Sequence, residues 1–316
     1  MSGAGQGTPG EAPPRFSGIR TFAAQPHHRN AEGVDVAVVG APFDQGTSFR
    51  PGARFGPEAI RSASALLRPY HPAQEVDVLG DLRIVDWGDV TCSPGNAERA
   101  IAQLAAGLEE IVRGGPIPLV LGGDHTIALA ELRALASRHG PLGLILLDSH
   151  ADTWDSYQGE RYFHGTPFRR AVEEGLLDPG RSLLAGMRGP LYSPRDLEQT
   201  RELGFEVIEW QELRRLEPRD YRRRASERAG DGALFLSFDI DFIDPAFAPA
   251  TGTPEPGGPT TAEALDLVRS LAGMRFAGFD VVEVSPPYDD PGQTTALVAA
   301  NVAYEMLTLV ALDRRG

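Results

Sequence analysis

Acids and histidines alternate along four short stretches of this chain: GGDHT at Gly122–Thr126, DSHAD at Asp148–Asp152, SFDIDFIDP at Ser237–Pro245 and EVSPP at Glu283–Pro287. Three of them close apolar runs, IPLVLGG, LGLILLD and ALFLSFD, that read as buried strands. Carboxylates at such positions are costly unless paired or bound to metal. Several strands ending in acids therefore point to one shared, cation-filled site. In extended backbone Asp148, His150 and Asp152 project to one face, and Asp239 and Asp241 repeat the pattern. With His125 the set is oxygen-rich with some imidazole. That donor set favours Mn²⁺, with Fe²⁺, Co²⁺ or Ni²⁺ also suited, whereas zinc sites more often use fewer carboxylates or thiolates. The four Asp around one dication would leave negative charge uncompensated, and two dications bring the cluster to neutrality. A pair of ions also acidifies water, which supplies a hydroxide nucleophile near neutral pH.

Apolar runs of strand length alternate with helical patterns along the whole chain, the sign of βαβ units and a mostly parallel sheet. Strands are expected at Val34–Ala41, Arg83–Asp86, Ile117–Leu121, Leu142–Leu147, Ser182–Ala185, Glu206–Glu209, Ala233–Phe238 and Ala277–Val284. Helices are expected between them, one over Gln211–Arg228 and a last one from about Gln293 to Leu312. The expectation is a single α/β domain with about eight strands. The polar clusters fall just past the strands' carboxyl ends, where ligands bind in open α/β sheets.

Composition narrows the function. A net charge of −14 with no offsetting basic block argues against nucleic acid. RDYRRRASER, at Arg219–Arg228, reads as the solvated face of a surface helix. The single cysteine, Cys92, excludes a disulfide scaffold and a Cys-rich zinc site, and fits a reducing cytoplasm. Residues 1–17, rich in Gly and Pro and lacking an apolar core, read as a flexible tail ahead of a domain over 18–316. No run approaches the ~18 apolar residues of a membrane span, so no membrane is expected.

These motifs resemble those of the ureohydrolase (arginase–agmatinase) family of dinuclear manganese amidinohydrolases. The resemblance extends from about Gly18 through nearly the whole chain. It includes GAPFDQGTSFRPGARFGPEAIR at Gly40–Arg61, the four site motifs and FHGTPFRRA at Phe163–Ala171. DPAFAPATGTPEPGG at Asp244–Gly258 and DVVEVSPPYD at Asp280–Asp289 look like its agmatinase branch. The resemblance implies a three-layer domain with helices on both faces of the sheet, and a homotrimer or homohexamer. It implies that His125 and Asp152 hold one Mn²⁺, that His150 and Asp241 hold the other, and that Asp148 and Asp239 bridge. The family usually has Ala where Ser149 stands and Ser where Thr126 stands; neither position is a ligand.

A guanidinium is planar, charged at all physiological pH and a poor electrophile. Hydrolysing it to urea and an amine needs a nucleophile, an anionic clamp and a proton for the leaving amine. The resemblance gives the clamp to Glu283, the proton relay to Asp152 and a proton shuttle to His164. The loop Thr153–Phe163 leaves the substrate's tail open. Asp155 and Glu160 suit the ammonium of agmatine. Arg161 or Arg188 suits the carboxylate of 4-guanidinobutanoate or 3-guanidinopropanoate. Tyr157, Tyr162 and Tyr192 suit an apolar stem. The resemblance favours agmatine over the guanidino acids, and all three over arginine. A one-zinc deacetylase of acetylated polyamines and a non-catalytic relative are the rival classes, although every ligand position is intact here.

Overall fold

A helix that carries the chain back between strands lets each new strand join the sheet in parallel, and this chain does so throughout. The computed structural model describes residues 14–315; residues 1–13 of the expected tail lie outside the described residues, and residues 14–17 form a turn. Strands run over Val36–Gly40 (β1), Tyr70–His71 (β2), Val76–Asp77 (β3), Ile84–Asp89 (β4), Ile117–Leu121 (β5), Gly143–Leu147 (β6), Leu183–Met187 (β7), Glu206–Glu209 (β8), Leu234–Asp239 (β9) and Phe276–Val282 (β10). Eight of them form one sheet in the order β4-β1-β5-β10-β9-β6-β7-β8, parallel at each pairing. All eight expected strands are there, with ends shifted by a few residues at most. The short antiparallel pair β2–β3 was not anticipated.

Side chains alternate between two apolar cores, one on each face of the sheet. Val36, Val38, Leu119, Leu121, Ile145 and Leu147 enter one; Ala37, Val39, Val120, Leu144 and Leu146 enter the other. Helices Gly56–Ser64, Pro218–Ala229, Thr261–Ser270 and Thr294–Arg315 cover the first core. Helices Ala97–Gly114, Ile127–His139 and Pro167–Glu173 cover the second. Strands buried on both faces are apolar at successive positions, which is why the runs were conspicuous.

Two expectations change. The helix over Gln211–Arg228 is two helices, Trp210–Leu213 and Pro218–Ala229. Pro218 lacks an N–H and pushes Glu217 to extended backbone, at φ −69° and ψ 149°. Its arginines are largely paired: Arg223 with Asp220, Arg224 with Glu206 and Glu212, while Arg228 donates to the carbonyls of Pro179 and Ser182. The final helix, Thr294–Arg315, is long and apolar enough to pass for a membrane span, contrary to the sequence expectation, but 83% of its apolar window is buried inside the protein. Its apolar character fills the first core. Replacing fully packed Leu307 on this helix, Leu307→Ala, should lower the unfolding free energy by about 2–5 kcal/mol in a urea titration. An unchanged transition would show that this face is not packed.

Candidate metal centre and substrate cleft

Strands β5, β10, β9 and β6 carry the four motifs and are neighbours at the middle of the sheet, although the chain makes them in the order β5, β6, β9, β10. Register aligns their ends: Leu147 faces Phe238, Asp239 faces Val282, and Val281 faces Leu121. The residues that follow are therefore brought side by side. Three motifs share one local device, in which a carboxylate accepts the N–H two residues on. Asp124 takes that of Thr126 (3.0 Å), Asp148 that of His150 (2.6 Å) and Asp239 that of Asp241 (2.8 Å).

All six expected ligand residues converge. His125 Nδ1 lies 2.9 Å from Asp152 Oδ2, 3.2 Å from Asp148 Oδ2 and 3.3 Å from Asp239 Oδ2. Yet neither His125 Nδ1 nor Asp148 Oδ2 makes a hydrogen bond. Buried lone pairs aimed at a common point, not at one another, are the geometry a cation fits. A second group, Asp148, His150 and Asp241, shares Asp148 with the first. His150 Nδ1 is 3.0 Å from Asp241 Oδ2 and 3.6 Å from Asp148 Oδ1. Burial and neighbouring carboxylate charge push Asp152 up to about 6 and Asp239 well above the usual range. Despite burial, the same carboxylates raise His125 and His150. The cluster demands positive charge.

Two residues of the site stand in left-handed backbone, Asp152 at φ 52° and Glu283 at φ 64°. Such strain costs on the order of 1–3 kcal/mol each and persists where the surroundings over-determine it. Here it turns both carboxylates inward. Glu283 Oε1 accepts the His125 backbone N–H (2.8 Å) and meets His164 Nδ1 (2.9 Å). Its Oε2 is buried without a partner and faces Gly252, where a Cβ would sit 3.1 Å away. His164 Nε2 meets Ser48 Oγ at 2.9 Å.

The sequence reading missed the residues behind His125. Its Nε2 is 2.8 Å from Ser237 Oγ, which donates to Asp280 Oδ1 at 2.7 Å. Asp280 faces the fully buried Glu131, which burial and the Asp280 charge hold well above its ordinary value. An imidazole that donates from Nε2 presents a bare Nδ1 lone pair to the cluster. The signal was in SFD and FDVVEV, where a Ser and an Asp interrupt strands otherwise apolar on both faces.

A cleft of about 470 Å³ opens beside the cluster, lined by Trp154, Tyr157, Phe163, His164 and Tyr192 among others. Of the expected tail residues, Tyr157, Tyr192 and Arg188 line it. Arg188 is committed elsewhere: it donates to the carbonyls of Asp241, Phe242 and Glu255. Asp155 lies outside, bonded to Arg170 at 2.8 Å, and Arg161 is held by Glu173 at 2.8 Å. Local ion pairs claim both. Glu160 and Tyr162 are not in the lining either. The lining also holds Asp196, Glu209 and Glu255, which the sequence reading did not select.

Breaking the anchor behind His125 tests its importance. Ser237→Ala should weaken divalent-cation binding roughly 10- to 100-fold in a titration of metal-free protein. Unaltered binding would show that His125 needs no such support.

A model of the Arginase family matches residues 34–308. Guanidinobutyrase of Pseudomonas aeruginosa is 44% identical over 95% of this chain and 95% of its own length. The mitochondrial agmatinase of Gallus gallus is 42% identical over 93% of this chain and 86% of its own. The solved structure of proclavaminate amidino hydrolase from Streptomyces clavuligerus superposes with a TM-score of 0.90 at 40% identity, covering 95% of this chain and all of that one. Geometry, motifs and relatives agree: the chain belongs to the arginase family.

Proposed function

We propose that this protein hydrolyses the guanidinium group of a small guanidino compound to urea and an amine, using two Mn²⁺ ions. The observation that carries this reading is the pair of ligand groups joined through Asp148 next to the unpartnered Oε2 of Glu283. His125, Asp148, His150, Asp152, Asp239 and Asp241 would hold the two ions. Such ions, when bound, acidify water and neutralise the four aspartates.

The chain's own residues do the rest. Glu283 presents Oε2 to the guanidinium nitrogens, and Gly252 leaves the space they need. Asp152 orients the nucleophile, accepts its proton and passes it to the departing nitrogen as the C–N bond breaks. His164 is buried, yet the Glu283 carboxylate beside it raises its imidazole above the ordinary value. Held at Nδ1 by Glu283, it takes up and releases a proton at Nε2.

The tail favours agmatine. Arg188, the one guanidinium among the described residues lining the cleft, has its donors occupied by carbonyls, so a substrate carboxylate finds no ready partner. Glu255 lines the cleft, and its carboxylate suits an ammonium, with the aromatic side chains of Trp154, Tyr157, Phe163 and Tyr192 flanking an alkyl stem. A guanidino acid is the second reading, supported by the similarity to a guanidinobutyrase.

After Mn²⁺ loading, agmatine, 4-guanidinobutanoate, 3-guanidinopropanoate and arginine are assayed for urea. Agmatine should be turned over best, and Glu255→Gln should raise its KM more than that of the guanidino acids. Brisk turnover of a guanidino acid with none of agmatine sinks the choice of substrate and leaves the reaction class standing. Glu283→Gln should cut kcat/KM by at least about a hundredfold for every substrate of the panel; wild-type rates would remove Glu283 from its assigned role.

A further inference from the structure

The two ligand groups are unequal. The His125 side chain is fully buried and has three carboxylate oxygens within 3.3 Å of Nδ1. The His150 side chain is 32% exposed and lies on the cleft wall, and Asp241 Oδ2 is the near oxygen, at 3.0 Å. The second oxygen of Asp241 is engaged elsewhere. Ser149 reaches Oδ1 twice, through its backbone N–H at 3.2 Å and its hydroxyl at 2.6 Å. A carboxylate oxygen has two lone-pair sites, and two donors fill them.

We propose that Ser149 attenuates the second metal position, by holding Asp241 Oδ1 so that the carboxylate offers an ion beside His150 a single oxygen. The proposal rests on the two-metal reading above and adds an ordering to it. The hydroxyl bond is short and its acceptor is charged, so it also draws off part of the carboxylate's basicity. Burial retains an ion at His125, while the position at His150 exchanges with solvent through the cleft. Loading then proceeds in two separated steps, and occupancy of the second follows the free ion concentration. Ser149 lines the cleft, and its Oγ also lies 3.2 Å from His150 Nδ1, so it acts on an ion there through the two ligands beside it; it is a positioning residue.

Metal-free protein is titrated with Mn²⁺ by calorimetry, while electron paramagnetic resonance follows the conversion of isolated ions into coupled pairs. The parent chain should show two steps. Ser149→Ala should tighten the second step roughly tenfold, leave the first unchanged, and bring the coupled signal in at lower Mn²⁺. Ser149→Thr, which keeps the hydroxyl, should retain the parent's separation between steps. A second step in Ser149→Ala as weak as the parent's, or weaker, overturns the attenuation and leaves the two-ion site intact. A threonine variant that behaves like alanine overturns it too, because volume and not the hydroxyl would then be at work. One ion per chain in both parent and Ser149→Ala overturns the attenuation together with the two-ion reading.

Discussion

Like charges held together out of water govern this structure. Asp148, Asp152, Asp239 and Asp241 end up around two imidazoles, with Asp148, Asp239 and Asp241 buried and the His150 side chain open to the cleft, and carboxylates so crowded repel one another strongly. Three local solutions make the crowding tolerable. Strand-end acids take the N–H two residues further on. Ser149 satisfies one oxygen of Asp241. The remaining oxygens face inward toward a common centre. None of these disposes of the net charge, so the arrangement is complete only with cations among its members.

Glu283 ties the aspartate–histidine cluster to His164. One of its oxygens is fixed by the His125 backbone and by His164, and that fixity is what leaves the other oriented and unpaired. The strained backbone at Glu283 and Asp152 belongs to the same economy. Two residues adopt an unfavourable conformation so that both carboxylates turn into the site from the last residues of their motifs. The inward-facing carboxylates are held with local strain, which the packing of the two cores beneath offsets.

Much of this was legible from the chain alone, and the reasons are physical. Strands buried on both faces write themselves as unbroken apolar runs, so β5 was located to the residue. The clustered acids stood out because acids at the ends of such runs need an explanation. The helix over Gln211–Arg228 was overextended because its periodicity continues through Pro218, which breaks it. Strands β2 and β3, with two residues each, are too short to carry a period. The order of strands in the sheet is a matter of packing through space, and alternation along the chain is silent on it. The tail residues were the least readable. Asp155, Arg161 and Arg188 have suitable chemistry, but their partners Arg170, Glu173 and the carbonyls near Asp241 are contacts of the folded chain. Ser237 and Asp280 were hidden for the opposite reason, being polar residues inside strands otherwise given over to the core.

The placement of β10 bears on how the molecule comes into being. Among the described residues it is the last strand in sequence, yet it lies between β5 and β9, so a nascent chain that has emitted everything through residue 275 still has a gap along the midline of its sheet. Until Phe276–Val282 threads into that gap, β5 and β9 expose unpaired edges to one another and His125 has no Glu283 to grip its backbone. Pairings this distant in sequence are slow to form. Translation past Glu283 is therefore needed before His125 gains that backbone contact, and a chain cut short before that strand forfeits the centre and not merely the margin.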